Sequence, residues 1–191
     1  MSASGERARL FVALELPRGV RDRLALWRDG VVAEVPGLRA VAAESLHVTL
    51  CFLGSVELAS VDAVAAACGV ARGMPAASLS VRRGIWLPPR RPGVLAVELF
   101  DAGGRLGAVQ AALSEALAGG GWYTPEKRAF LAHVTVARVG RGARVRRGSE
   151  LPGLSGELSF SGSTVTLFRS RLSSAGARYE GLASVETSTA H

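Results

Sequence analysis

The chain has 191 residues, of which 48% are apolar, and its net charge is +7 at pH 7. This apolar content is enough for a packed core and excludes a disordered chain. Arginine supplies the positive charge, with 22 residues against the single lysine Lys127, which makes an anionic partner such as nucleic acid plausible; a compositional bias of the genome would produce the same excess.

The beginning of the chain and its hydropathy favour a cytoplasmic protein without membrane contact. Residues 1–9 lack the apolar core of a signal peptide, and no apolar run approaches the ~18 residues that a membrane span requires. Cys51 and Cys68 have neither a metal-binding spacing nor a disulfide pattern. We therefore expect a cytoplasmic protein. We also expect it to be a monomer.

The first half of the chain alternates predicted strands and helices. Leu24, Trp27 and Val31 recur at helical spacing after Pro17, whose fixed φ suits a first helical turn. The predicted elements are a strand at 9–16, a helix at 17–33, a short extended piece, a strand at 46–53 that Gly54 ends, a helix at 61–68 that closes near Gly69 or Gly73, and a strand at 79–86.

The second half repeats this order after a stiff proline-rich connection at 87–93. A strand is predicted at 94–99 and an amphipathic helix at 106–117, with Asp101 in its N-cap region. A second motif strand at 131–139 follows, then a basic loop at 138–147 and a hairpin with strands at 163–171 and 178–185 around a turn at 173–176. The repeated order indicates an internal duplication.

Two matching tetrapeptides occupy corresponding strands of the two halves: His47-Val48-Thr49-Leu50 and His133-Val134-Thr135-Val136. Residues i and i+2 of a strand point to the same face, so each motif would present an imidazole beside a hydroxyl. A pseudo-twofold arrangement would bring the two strands face to face across a central cleft and unite both motifs in one site.

Two histidines on opposite sides of a phosphodiester can cleave it without a metal. An imidazole titrates near ~6.5, so one can take a proton from water while the other gives a proton to the leaving oxygen. The Thr49 and Thr135 hydroxyls would hold the non-bridging oxygens. A zinc site is disfavoured, because catalytic zinc usually has three protein ligands and the chain offers two positioned histidines. A lone histidine in an apolar strand is more often a packed residue, but two in duplicated settings argue against that reading.

The residues around the motifs resemble the 2H phosphoesterases, and within them the bacterial and archaeal RNA 2',3'-cyclic phosphodiesterases, first called 2'-5' RNA ligases. The resemblance extends over nearly the whole chain. The segments that carry it are 9–14 (RLFVAL), 45–54 (SLHVTLCFLG), 128–138 (RAFLAHVTVAR) and 167–172 (LFRSRL). One departure is Ala132, where the family commonly has proline before the second histidine.

The resemblance implies an α+β fold of two pseudo-symmetric lobes forming one domain over residues 1–191. Two mostly antiparallel sheets would face a central cleft, with the helices outside. The implied activity is metal-independent hydrolysis of RNA 2',3'-cyclic phosphate ends to 2'-phosphates, with no cofactor. His47 would be the proton donor and His133 the base, with Thr49 and Thr135 gripping the phosphate.

The resemblance also implies that Arg138 contacts the phosphate. Arg138 is five residues after His133, and strict alternation places it on the opposite face, so a bend in the strand is required. The aromatic residues Phe52, Trp86, Trp122 and Tyr179 could stack on a base, although core packing explains each of them more simply.

Two alternatives to hydrolysis remain open. The same histidines would serve 2'-5' joining of RNA ends by the reverse chemistry, and the sequence does not separate the two directions. A module that binds RNA or a nucleotide without turnover is a third hypothesis, which the two intact histidines disfavour. Small cyclic phosphates also remain possible substrates.

Overall fold

A computed structural model describes residues 5–145, 150–154, 156–173 and 176–188. Two parts of the sequence predictions lie outside these residues: Arg146 and Arg147 of the basic loop, and Ser174 and Ala175 of the hairpin turn.

The described residues form nine β-strands and three α-helices in a mixed order. The strands are β1 (Arg7–Glu15), β2 (Leu38–Ala40), β3 (His47–Glu57), β4 (Ala77–Leu87), β5 (Val94–Ala102), β6 (His133–Val139), β7 (Ser159–Gly162), β8 (Thr164–Ser173) and β9 (Gly176–Glu186). The helices are α1 (Arg18–Glu34), α2 (Val61–Cys68) and α3 (Arg105–Gly119).

Most predicted elements are present, with small shifts at their ends. Helix α1 begins at Arg18, because Pro17 takes the extended N-cap conformation (φ −55°, ψ 145°) rather than the first helical position. Asp101 does accept hydrogen bonds at the start of α3, from the N–H groups of Leu106 (3.1 Å) and Gly107 (2.9 Å). The short strand β7 was not predicted.

The prediction that Gly54 ends the first motif strand is wrong. Strand β3 continues through Gly54 to Glu57. Gly54 has φ +71°, and the pairing with β1 shifts there, from Leu10 opposite Gly54 to Phe11 opposite Phe52. The glycine therefore allows a β-bulge inside the strand instead of a turn after it.

All the named strands of the described chain belong to one curled, antiparallel sheet. Its order is β7-β4-β5-β6-β3-β1-β8-β9, and β2 pairs with β6 outside this path. The two predicted facing sheets correspond to the two four-stranded halves of this order. They are joined rather than separate, because β3 and β6 pair antiparallel through Val48 and Val134. The motif strands are thus neighbours at the centre of the sheet.

One face of the sheet forms the core with the helices. Val12, Val48, Val97 and Val134 are completely buried, and they belong to one hydrophobic cluster with residues of α1 and α3. The members of the cluster from the three α-helices are Val20, Leu24, Val31, Val64, Cys68, Leu106, Val109, Leu113 and Leu117. No helix in the described ranges is long and apolar enough to cross a membrane.

Candidate active site

The pairing of β3 with β6 places the two His-x-Thr motifs side by side. Val48 and Val134 are directly opposite each other and point into the core. Their neighbours therefore point to the other face of the sheet, where His47 and Thr49 of β3 meet His133 and Thr135 of β6. All four side chains are partly exposed and line one cleft.

A β-bulge occurs at the last residue of each tetrapeptide motif. In β3 the pairing passes from Thr49 to Cys51, so Leu50 has no partner in β1. In β6 it passes from Thr135 to Ala137, so Val136 has no partner in β5. Each bulge puts two consecutive residues into the core, which shifts the alternation of the strand by one position beyond it.

The bulge at Val136 brings Arg138 to the site. Without it, Arg138 would lie on the core face; with it, Arg138 returns to the face of His133 and lines the same cleft. The backbone at the bulge is held by Val41, whose N–H donates to the Val136 carbonyl (2.9 Å). The carbonyl of Val41 in turn accepts a hydrogen bond from the buried guanidinium of Arg28.

The two imidazoles have the same backbone hydrogen bond. The Nδ1–H of His47 donates to the carbonyl of Ser45 (2.7 Å), and the Nδ1–H of His133 donates to the carbonyl of Leu131 (2.8 Å). A carbonyl only accepts, so the proton of each neutral ring is on Nδ1 and the lone pair of Nε2 is available for proton transfer. The Nε2 of His47 is 3.1 Å from the hydroxyl oxygen of Thr49.

Aromatic side chains surround His47. Its ring stacks on Phe11 (centroids 5.0 Å apart), meets Tyr179 edge-on (5.3 Å) and lies 6.4 Å from Phe168. Burial lowers the pKa of His47 below its ordinary value of 6.5, and the charges of Arg138 and His133 lower it further, against an opposing contribution from the hydrogen bond to Ser45.

The cleft has two connected parts. The smaller, about 320 Å³ and open to solvent, is lined by both motifs together with Val41, Ser45, Arg138 and Tyr179. The larger, about 1150 Å³, shares Ser45, His47 and Tyr179 with it. Its remaining lining residues are Glu15, Arg21, Ala42, Glu44, Phe168, Ala177 and Arg178.

Phe52 lies on the motif face but lines neither part of this cleft. It is directly opposite Phe11, which stacks on His47, so the two rings share a face. Its side chain is 46% exposed, and the guanidinium of Arg9 lies 4.8 Å from the ring centroid. Of the other aromatic candidates, Trp86 is buried in the core and Tyr179 lines the cleft.

The sequence did not reveal Phe11, Phe168 or Ser45 as parts of the site. Phe11 and Phe168 reach His47 only because β1 lies between β3 and β8. The available signal was the alternation of β1. Glu15 is opposite His47, so Phe11 and Ala13, which alternate with it, also lie on the face of His47. In the part of the chain that the structure describes, no three His, Cys, Asp or Glu side chains are grouped to hold a metal ion.

The comparisons with known proteins agree with the resemblance to the 2H phosphoesterases that the two His-x-Thr strands carry. Residues 14–96 match the family described as LigT like Phosphoesterase; this segment contains the first motif. The RNA 2',3'-cyclic phosphodiesterase of Escherichia coli K12 is 35% identical over 95 residues, which are 46% of this chain and 53% of that protein. The sequence match thus spans about half of the relative's length.

The likeness to solved structures extends over almost the whole chain. The apo form of E. coli LigT superposes with a TM-score of 0.80 and 25% identity, covering 97% of this chain and all of that one. The same protein complexed with 3'-AMP gives 0.79 and 27%, and a structure from Thermus thermophilus gives 0.76 and 26%, each over 96% of this chain and all of the other. The chain is thus similar to the LigT-like phosphoesterases in fold over almost its whole length, and in sequence over part of it.

Proposed function

We propose that this protein is a hydrolase that opens 2',3'-cyclic phosphodiester ends of RNA to 2'-phosphomonoesters, using two histidines and no metal. The observation that carries the proposal is the shared arrangement of His47 and His133. Each is fixed by an Nδ1–H hydrogen bond to the residue two before it, and both line one cleft with Thr49, Thr135 and Arg138. The match of residues 14–96 to the LigT-like phosphoesterase family and the name of the E. coli relative support the choice of substrate.

In the proposed reaction, His133 takes a proton from water on one side of the phosphorus and His47 gives a proton to the leaving ribose oxygen on the other. The P–O bond to that oxygen breaks as the bond to water forms. The Thr49 and Thr135 hydroxyls and the Arg138 guanidinium bind the non-bridging oxygens, whose charge grows in the transition state. The larger part of the cleft, with Phe168 and Tyr179, would receive the nucleoside.

The lower pKa of His47 places a condition on this assignment. In the free protein, burial and the charge of Arg138 disfavour its protonated form. A phosphate in the cleft would supply a nearby negative charge, which favours the imidazolium and raises the pKa again. We therefore propose that His47 becomes an effective acid when substrate is bound.

The internal duplication is also proposed. In each half of the sheet, the motif strand pairs with the strand that precedes it in the repeat: β3 with β1, and β6 with β5. Glu15 is opposite His47, and Glu98 is opposite His133. This correspondence supports two pseudo-symmetric lobes within a single domain.

The decisive test is a product assay on an oligoribonucleotide with a 2',3'-cyclic phosphate end, run with the wild type, His47→Ala and His133→Ala. We expect a 2'-phosphate from the wild type and a loss of about 10²–10⁴-fold in kcat for each variant, since each histidine supplies general acid or base catalysis. EDTA should leave the rate unchanged.

Circular dichroism of the variants serves as the control for folding. Full activity in either histidine variant would contradict the two-histidine mechanism, and a 3'-phosphate product would reverse the assignment of the leaving oxygen. Adding an RNA with a 5'-hydroxyl end measures joining against hydrolysis in the same assay.

A further inference from the structure

A row of arginines continues from Arg138 away from the cleft. Arg39 of β2 is directly opposite Arg138, so both side chains lie on the motif face of the sheet. Arg141 and Arg144 follow in the turn after β6, and all four residues are exposed.

This turn is held next to β2 by its backbone. The N–H of Gly140 donates to the carbonyl of Gly37 (2.8 Å), and a Cβ built on Gly140 would be 3.4 Å from the Nε atom of Arg39. The side chain of Arg39 therefore passes over Gly140, toward the turn that carries Arg141 and Arg144. We call these four exposed residues, which lie on two paired strands and in the turn after one of them, the arginine row.

The arginine row lacks acidic partners within the described residues. None of its members takes part in a salt bridge there, whereas eight other arginines do. Like charges directly opposite each other on neighbouring strands destabilise a sheet, so the Arg39–Arg138 pair has a cost in the free protein. An anionic ligand bound along the row would remove this repulsion.

We propose that Arg39, Arg141 and Arg144 bind backbone phosphates of a single-stranded RNA whose cyclic end lies at His47 and His133. The preferred substrate is then an oligoribonucleotide rather than a mononucleotide. The inference rests on the proposed function, since it takes the cleft as the position of the terminal phosphate. One phosphate would occupy Arg138 alone, whereas a row of exposed guanidinium groups matches the repeated charges of a strand.

The test compares a ten-nucleotide RNA with a 2',3'-cyclic end against the cyclic mononucleotide, as a function of salt. For Arg39→Gln we expect kcat/KM on the oligonucleotide to fall about threefold, and its logarithmic salt dependence to weaken by about 0.7, the value per phosphate contact on single strands. The triple variant Arg39→Gln/Arg141→Gln/Arg144→Gln should lose about tenfold or more, with a slope lower by about 2. The mononucleotide rate should stay within about twofold, because its single phosphate contacts Arg138 and none of the three substituted arginines.

Arg72→Gln is the matched control. It removes one positive charge from an exposed position after the short helical turn that packs against α3, away from the row. It should change neither the oligonucleotide rate nor the salt slope. Equal losses on both substrates, or no loss on either, would overturn the proposal.

The inference and the proposed function fail in different ways. If the wild type hydrolyses neither substrate, the proposed function fails, and fluorescence anisotropy of the same ten-nucleotide RNA then decides the inference. Weaker, less salt-dependent binding in the triple variant than in Arg72→Gln would support the arginine row, and equal binding would reject it.

Discussion

At the scale of single residues, His47 and His133 each donate an Nδ1–H hydrogen bond to the carbonyl two residues earlier, but their surroundings differ. His47 lies among Phe11, Phe168 and Tyr179, and its pKa is lowered first by burial and then by the charges of Arg138 and His133. Two neighbouring strands of the sheet therefore present imidazoles in different environments. Such a difference suits a reaction in which one ring gives a proton while the other takes one.

The pKa of His47 leads to a prediction for the pH profile. If His47 must be protonated, kcat/KM, which reports the free enzyme, should fall as the pH rises through a value below 6.5. The bound phosphate raises the pKa, so the fall in kcat should come at higher pH. The pH dependence of kcat and of kcat/KM on the cyclic mononucleotide measures both falls. If both quantities fell at the same pH, the assignment of His47 as the acid would be contradicted.

Arg138→Gln provides a second check on the same group. It removes a positive charge that lowers the pKa of His47, so the fall of kcat/KM should move to higher pH. The substitution should also raise KM, because a phosphate contact is lost. Arg72→Gln makes the same change in net charge and should not move the pH at which kcat/KM falls. An equal shift of that pH in Arg72→Gln would mean that overall charge is responsible.

At the scale of elements, the bulges of β3 are as important as its apolar pattern. Leu50, the last residue of the first motif, has no partner in β1, and Gly54 permits a second bulge at φ +71°. A non-glycine residue in that region of φ costs about 1–2 kcal/mol. Strand β3 therefore contains two bulges. A glycine marks the one at Gly54, whereas nothing in the sequence marks the one at Leu50.

Gly54→Ala should lower the free energy of unfolding by about 1–2 kcal/mol, measured by urea denaturation. Gly30→Ala is the matched control, since Gly30 lies within α1 and a Cβ there meets no atom within 4 Å. It should raise stability by up to about 1 kcal/mol, because alanine is the better helix former. Equal effects of the two substitutions would show that Gly54 tolerates a side chain.

The elements themselves were largely predictable, since periodicity is a local signal. Helix α2 ends before Gly69, the first of the two glycines near which its closure was expected, and both strands of the C-terminal hairpin are present. The bulge at Val136 was not predictable, because Val136 continues the apolar pattern and only its missing partner in β5 identifies it. The sequence required a bend to bring Arg138 to the site, and the bulge supplies that bend.

At the scale of the whole molecule, the two halves form one sheet and share one core. Residues of β1, β3, β5 and β6 belong to a single hydrophobic cluster with the helices. The prediction of facing sheets erred because the sequence shows which segments are strands but not which strands are neighbours. The aromatic group around His47 was missed for the same reason, since it depends on the order β3-β1-β8.

A continuous sheet and core should unfold in one cooperative transition. Far-UV circular dichroism reports all strands and helices, whereas tryptophan fluorescence reports Trp27, Trp86 and Trp122, which pack on or within the core. The two signals should give the same midpoint in urea. Two separated transitions would indicate that the halves are independently stable units.

The bulge in β6 also fixes how this chain can vary in length. One surplus residue between Thr135 and Ala137 is what sets His133 and Arg138 on a common face, so an insertion or deletion between those two side chains would turn one of them away. The number of residues between His133 and Arg138 is therefore fixed by the need for both side chains to reach one cleft.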